Sequence, residues 1–142
     1  MNIAATKSDL TKFPCDLLVV NAFREHVAKP GGGTDAVDKA LGGLISREIR
    51  ERHFEVDTGA TLMLHTHGKI PAKRVMLVGL GSKKDFDLEV VRRVSGRVVR
   101  AVRGTGIHTI GTMLHGAGAR GLKAQDAARA VAEGSLLANY EY

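Results

Sequence analysis

Apolar positions along this chain alternate between two periods. Leu17–Ala22 (LLVVNA) is the continuous apolar run of a strand buried on both faces, and Asn2–Ala5 has strand character ahead of it. After Pro30-Gly31-Gly32-Gly33, positions Val37, Ala40, Leu41, Leu44, Ile45 and Ile49 recur at helical spacing. They predict one helix with a single apolar face, Thr34 as its N-cap and Asp35 in its first turn. Thr61–Thr66 and Arg74–Leu80 read as the next strands. Asp85 or Asp87 then caps a helix whose inner stripe is Leu88, Val91, Ser95, Val98 and Val102. His108–Leu114 reads as a further strand, and Lys123 to about Ala138 as an alanine-rich final helix. This order predicts a three-layer α/β domain with a mixed sheet, parallel at its centre.

A length of 142 residues suits one domain spanning 1–142 and is enough to bury a core without covalent staples. The single cysteine, Cys15, excludes an internal disulfide framework and fits a reducing compartment. No apolar run reaches the ~20 residues of a membrane helix, and the start, MNIAATKSDL, is no signal peptide. A cytoplasmic location without membrane partners is the expectation. Lys and Arg number 21 against 15 Asp and Glu, a formal charge of +6 that suits either an anionic partner or solubility alone. With 4% aromatic residues and no Trp, the chain is poorly equipped to stack single-stranded nucleic acid.

Seventeen glycines stand against 3 prolines, and they gather in clusters. Two clusters matter most, because in α/β sheets ligands sit beyond the carboxyl ends of the strands. Gly31, Gly32 and Gly33 follow the LLVVNA strand and precede a helix. Consecutive backbone N–H groups and the positive helix end make such a loop an anion cradle, or else a plain connection. The spacing is neither a Walker A motif nor GxGxxG. The second cluster, His115-Gly116-Ala117-Gly118-Ala119-Arg120-Gly121, pairs a similar turn with the final helix, and Arg120 is suited to a phosphate. Asn21 and Asp35 are the nearest polar groups. Asn21 either fixes a neighbouring loop or meets a ligand. Asp35 either favours the helix dipole, contacts a ribose hydroxyl, or orients a water as general base. His65 and His67 share a strand face but lack a third ligand, so no metal is expected. Cys15 has no activating neighbour and reads as a buried small side chain. Arg92, Arg93, Arg97, Arg100 and Arg103 form a basic helix side, either solvated or facing nucleic acid or an acidic partner.

Two family resemblances follow from these segments. Ser8-Asp9-Leu10-Thr11-Lys12, CDLLVVNA, PGGGTDAVDKALGG and HGAGARGL together resemble a macro domain, the ADP-ribose-binding module. Over nearly its whole length the chain is also similar to the N-terminal domain of cytosolic leucyl aminopeptidases, through CDLLVVNAF, DKALGGLISREIRE, RVMLVGLGSKKDFD and AVAEGSLLANYEY. The two agree, since that domain is itself macro-like in fold. The family's peptidase activity resides in a separate domain with a two-metal cluster and an Asn-Thr-Asp-Ala-Glu-Gly-Arg motif, which this sequence does not contain. The macro resemblance implies a pocket: Asp9 on adenine, Asn21 and Gly31–Gly33 beside the distal ribose, Asp35 near a scissile bond, and Gly116, Gly118 and Gly121 on the diphosphate. Arg24 replaces the second Asn of the family's ribose segment, and the aromatic of the second loop is missing. Binding of ADP-ribose or a related nucleotide, with no resident cofactor and no assured hydrolysis, is what this implies. The aminopeptidase resemblance implies instead a structural module for oligomer assembly or association with a catalytic domain. DNA binding through the arginine helix is a further alternative.

Overall fold

The computed structural model describes Ile3 and residues 9–27, 31–115 and 121–139. Among the described residues, four strands form a sheet: β1 (Leu17–Ala22), β2 (Thr61–His65), β3 (Arg74–Gly79) and β4 (Ile110–Thr112), in the order β2-β3-β1-β4. β1 runs parallel to β3, from Leu17 opposite Arg74 to Ala22 opposite Gly79, and parallel to β4, from Leu17 opposite Ile110 to Val19 opposite Thr112. β2 is antiparallel on the outer side of β3. The helices are α1 (Gly32–Ala40), α2 (Leu44–Glu51), α3 (Leu88–Ala101) and α4 (Ala124–Asn139).

Successive strand side chains point to opposite faces, and that alternation divides the core in two. Leu18, Val20 and Ala22 of β1, with Val75 and Leu77 of β3, pack against Val37, Leu41, Ile45 and Ile49 from α1, its end and α2. Leu17, Val19, Met76 and Val78 pack against Val91, Val94 and Val98 of α3 and Ala130 and Val131 of α4. Helices thus cover both faces, as a continuously apolar β1 requires. This is the expected three-layer α/β/α arrangement with a mixed, centrally parallel sheet. α3 and α4 approach closely because Gly134 has no side chain: a Cβ there would lie 2.1 Å from the Arg92 carbonyl oxygen.

Several boundaries differ from the sequence expectation. The single helix expected over 34–49 is two, broken at Gly42 and Gly43, whose φ of +66° and +81° suits glycine. Asp38 compensates. Its carboxylate accepts from the Ile45 and Ser46 amides (2.8 and 3.2 Å) and from the Ser46 hydroxyl, capping α2 from the preceding helix. The break leaves Ala40 exposed, outside the apolar face it was expected to join. Thr34 is not the N-cap of α1: Gly31 is, at φ +73°, because the Thr34 hydroxyl is used elsewhere. Asp87, and not Asp85, caps α3, accepting from the Val90 amide at 3.0 Å. β4 is shorter than His108–Leu114 because the Asp16 carboxylate takes the His108 and Thr109 amides at 2.8 and 3.1 Å. Those two bonds hold the Asp16 carboxyl below its usual range. Apart from Ile3, the strand expected over Asn2–Ala5 falls outside the described residues.

Candidate functional site

The carboxyl end of β1 determines what gathers around it. β1 and β4 pair only as far as Val19 and Thr112, with one further bond from the Met113 amide to Val19 O. The next residue of β1 facing that side, Asn21, has lost its strand partner. Thr34 replaces it: its hydroxyl accepts from the Asn21 amide at 3.2 Å and lies 2.7 Å from the Asn21 carbonyl oxygen, to which it donates. One buried side chain therefore ties the first turn of α1 to the end of β1. Gly33 lies between them under pressure, since a Cβ there would be 2.7 Å from Leu10 Cδ1 and 3.1 Å from Met113 Cε. No described residue comes within 4 Å of a Cβ placed on Gly31 or Gly32, and their φ of +73° and +52° is what glycine permits.

The Asn21 side chain is turned to His115, with Nδ2 2.9 Å from Nδ1. The other ring nitrogen, Nε2, lies 3.2 Å from the Thr112 hydroxyl. His115 is 1% exposed, and burial pushes its pKa down to about 4, so the ring is neutral at pH 7. Asp9 begins a 3-10 turn over Leu10–Lys12 and accepts from the Thr11 hydroxyl and amide at 2.7 and 2.9 Å. These bonds, the hydroxyl's first, hold its carboxyl below the usual range. Asp35, in the first turn of α1, pairs with Lys39 at 3.4 Å.

Asp9's turn, Asn21 and Gly31–Asp35 are thus brought to one corner of the sheet, together with Thr34, Met113 and His115. Gly121 sits just before α4 at φ +76°. Gly116, Gly118 and Arg120 lie outside the described residues. Sequence reasoning missed the roles of Thr34 and His115. The available signal for His115 was a histidine shortly after a strand, at the head of a glycine loop.

The remaining candidates lie elsewhere. Arg24, in the ribose-segment position, pairs with Asp57 at 2.8 Å. Cys15 is buried, which raises its thiol pKa. His67 is not on the strand with His65 but in the turn beyond it, at φ +52°, with ring centroids 5.8 Å apart. Both line a cavity of about 220 Å³ with Leu44, Glu48, Arg52 and Met63, at the edge of the sheet. The arginine side of α3 is narrower than expected. Arg93, Arg97 and Arg100 are exposed, but Arg92 bonds Glu89 and Glu133 at 3.4 and 3.3 Å, and Arg103 donates to the Ala138 carbonyl. Those two arginines join α3 to α4.

Comparison with known proteins identifies this arrangement. Residues 19–142 match the model of the cytosol aminopeptidase family, N-terminal domain. The chain belongs to that family. A probable cytosol aminopeptidase of Geotalea uraniireducens is 32% identical over 142 residues, which are all of this chain and 28% of that protein. One from Alkaliphilus metalliredigens is 30% identical over the same share of each. The chain therefore spans little more than a quarter of the length of these cytosol aminopeptidases. In fold, it is similar to tomato leucine aminopeptidase, with TM-score 0.75 at 22% identity, over 96% of this chain and 27% of that one. It is similar in fold to macrodomains as well. One from Trypanosoma brucei, solved in complex with ADP, gives TM-score 0.73 at 20% identity, over 93% of this chain and 55% of that one. The aminopeptidase N-terminal domain and the macrodomain thus share this fold. Among the described residues, no helix is long and apolar enough to cross a membrane.

Proposed function

We propose that this domain is a structural and regulatory module of an aminopeptidase, serving assembly or docking with a catalytic domain, and that its macrodomain-type corner is retained architecture. One observation carries the reading: each described polar side chain expected to meet a nucleotide is engaged within the chain. Asp9 is bonded to Thr11, Asn21 to His115 and Asp35 to Lys39. Groups engaged in this way have partners whether or not a ligand is present. Family membership supports the same reading, as do Leu136 and Leu137, large apolar side chains exposed by 47% and 72% near the end of α4.

A second reading, binding of ADP-ribose or a related nucleotide diphosphate, has one observation in its favour. Among the described residues, no side chain caps α1 at Gly31 and none covers Gly31 or Gly32, an arrangement suited to an anion on the first amides of the helix. Calorimetric titration with ADP-ribose, with AMP and ADP as controls, separates the two. The module reading expects no heat from the folded protein. Micromolar binding that prefers ADP-ribose and is abolished by Gly32→Glu would overturn it in favour of the second.

A further inference from the structure

The hydrogen bonds around His115 fix more than a ring orientation. The Thr112 hydroxyl has one proton, and it lies 3.1 Å from the Met113 carbonyl oxygen, an acceptor only. With that proton donated to Met113, the Thr112 oxygen accepts from His115 Nε2–H at 3.2 Å. A neutral imidazole carries a single N–H, so Nδ1 is bare and must itself accept. Its neighbour at 2.9 Å is therefore the NH2 group of Asn21, and the Asn21 carbonyl oxygen points away from the ring. No described residue bonds that oxygen.

We infer that His115 is a positioning residue that sets the polarity of Asn21, so that the atom presented at the end of β1 is a hydrogen-bond acceptor. A ligand group received there must donate: a sugar or polyol hydroxyl fits, while a carboxylate or phosphate oxygen is repelled. The orientation of Asn21 stands on the hydrogen bonds alone; the ligand class rests on the nucleotide reading. Protonating the ring reverses the polarity, because Nδ1–H then needs an acceptor and the Asn21 amide must turn over. Among the described residues, the charged groups on these elements are Asp9 and Lys12 of the 3-10 turn and Asp35, Asp38 and Lys39 of α1; Asp9 is bonded to Thr11, Asp38 to Ile45 and Ser46, and Asp35 pairs with Lys39. Burial is the cause of the low His115 pKa.

Long-range nitrogen–proton NMR spectra of the full 142-residue chain test this without any ligand. At pH 7.5 the expected result is a neutral His115 protonated at Nε2, with bare Nδ1 coupled across a hydrogen bond to the Asn21 side-chain amide. The Asn21 amide resonances should move together with His115 as it titrates near pH 4. A second expectation concerns Asn21→Asp, whose carboxylate demands a proton on Nδ1. It should raise the His115 pKa from about 4 into the ordinary histidine range or above. Protonation at Nδ1 in the parent protein, or Asn21 resonances indifferent to the titration, would overturn the inference. Titration with ADP-ribose in the same samples is read separately. Binding that weakens at least tenfold in Asn21→Leu supports the ligand class. Silence with the His115 signature intact overturns that class together with the nucleotide reading, and leaves the positioning role standing.

Discussion

Replacing Thr34 by Val removes one hydroxyl while keeping the shape of a side chain that is 1% exposed. That hydroxyl is the partner of both the Asn21 amide and the Asn21 carbonyl, at 3.2 and 2.7 Å, in a place where β4 no longer pairs with β1. Each backbone group left without a partner costs about 1–3 kcal/mol when buried. Asn21 is half-buried, so water recovers part of this, and a total near 2–3 kcal/mol is expected. For a chain of this size that corresponds to a fall of roughly 10 °C in Tm. Thr34→Ser is the control: it keeps the hydroxyl and loses one methyl, worth about 1 kcal/mol. Urea unfolding of the three proteins, with amide exchange followed at Asn21, provides the assay. The valine variant should be the least stable and the Asn21 amide the most accelerated. A valine variant as stable as the serine variant would refute the claim that this hydroxyl joins α1 to β1.

Other consequences follow from the same geometry. Burial lowers the His115 pKa from the ordinary 6.5 to about 4, so the folded state favours the neutral ring. Its stabilisation is complete above pH 6.5 and lost as pH falls through 4, a difference of about 3 kcal/mol at about 1.4 kcal/mol per pH unit. Urea midpoints between pH 7 and 4 should show this loss in the parent and much less of it in His115→Gln. Asp38→Ala removes the acceptor of the Ile45 and Ser46 amides and should cost about 2 kcal/mol, with faster exchange at those two amides than elsewhere in α2. Gly134→Ala drives a Cβ to within 2.1 Å of the Arg92 carbonyl oxygen and should destabilise by about 1–3 kcal/mol in thermal unfolding; an unchanged Tm would contradict the close approach of α3 and α4.

The sheet and its two layers were legible because LLVVNA and RVMLVG are continuous apolar runs, and only a doubly covered strand tolerates that. The break between α1 and α2 was not. Leu41, Leu44 and Ile45 continue the helical spacing through it, and left-handed glycines leave no mark on hydrophobic periodicity. The early end of β4 was hidden for a different reason: Asp16, far away in sequence, takes the amides that would have extended the strand. In the site, Asn21 and the glycine loop were readable as residues at a strand end. What holds Asn21 was not, since His115 lies 94 positions further along the chain and shows its partner only once β1 and β4 stand side by side.

The central claim is that this domain works by assembly. Sedimentation velocity tests it most directly, on the 142-residue chain alone and mixed with the catalytic portion of the Geotalea aminopeptidase prepared without its own N-terminal region. The account predicts a complex larger than either component, weakened when Leu136 and Leu137 are both changed to Ser. Independent sedimentation of the two at tens of micromolar, with no self-association of the chain, would contradict it.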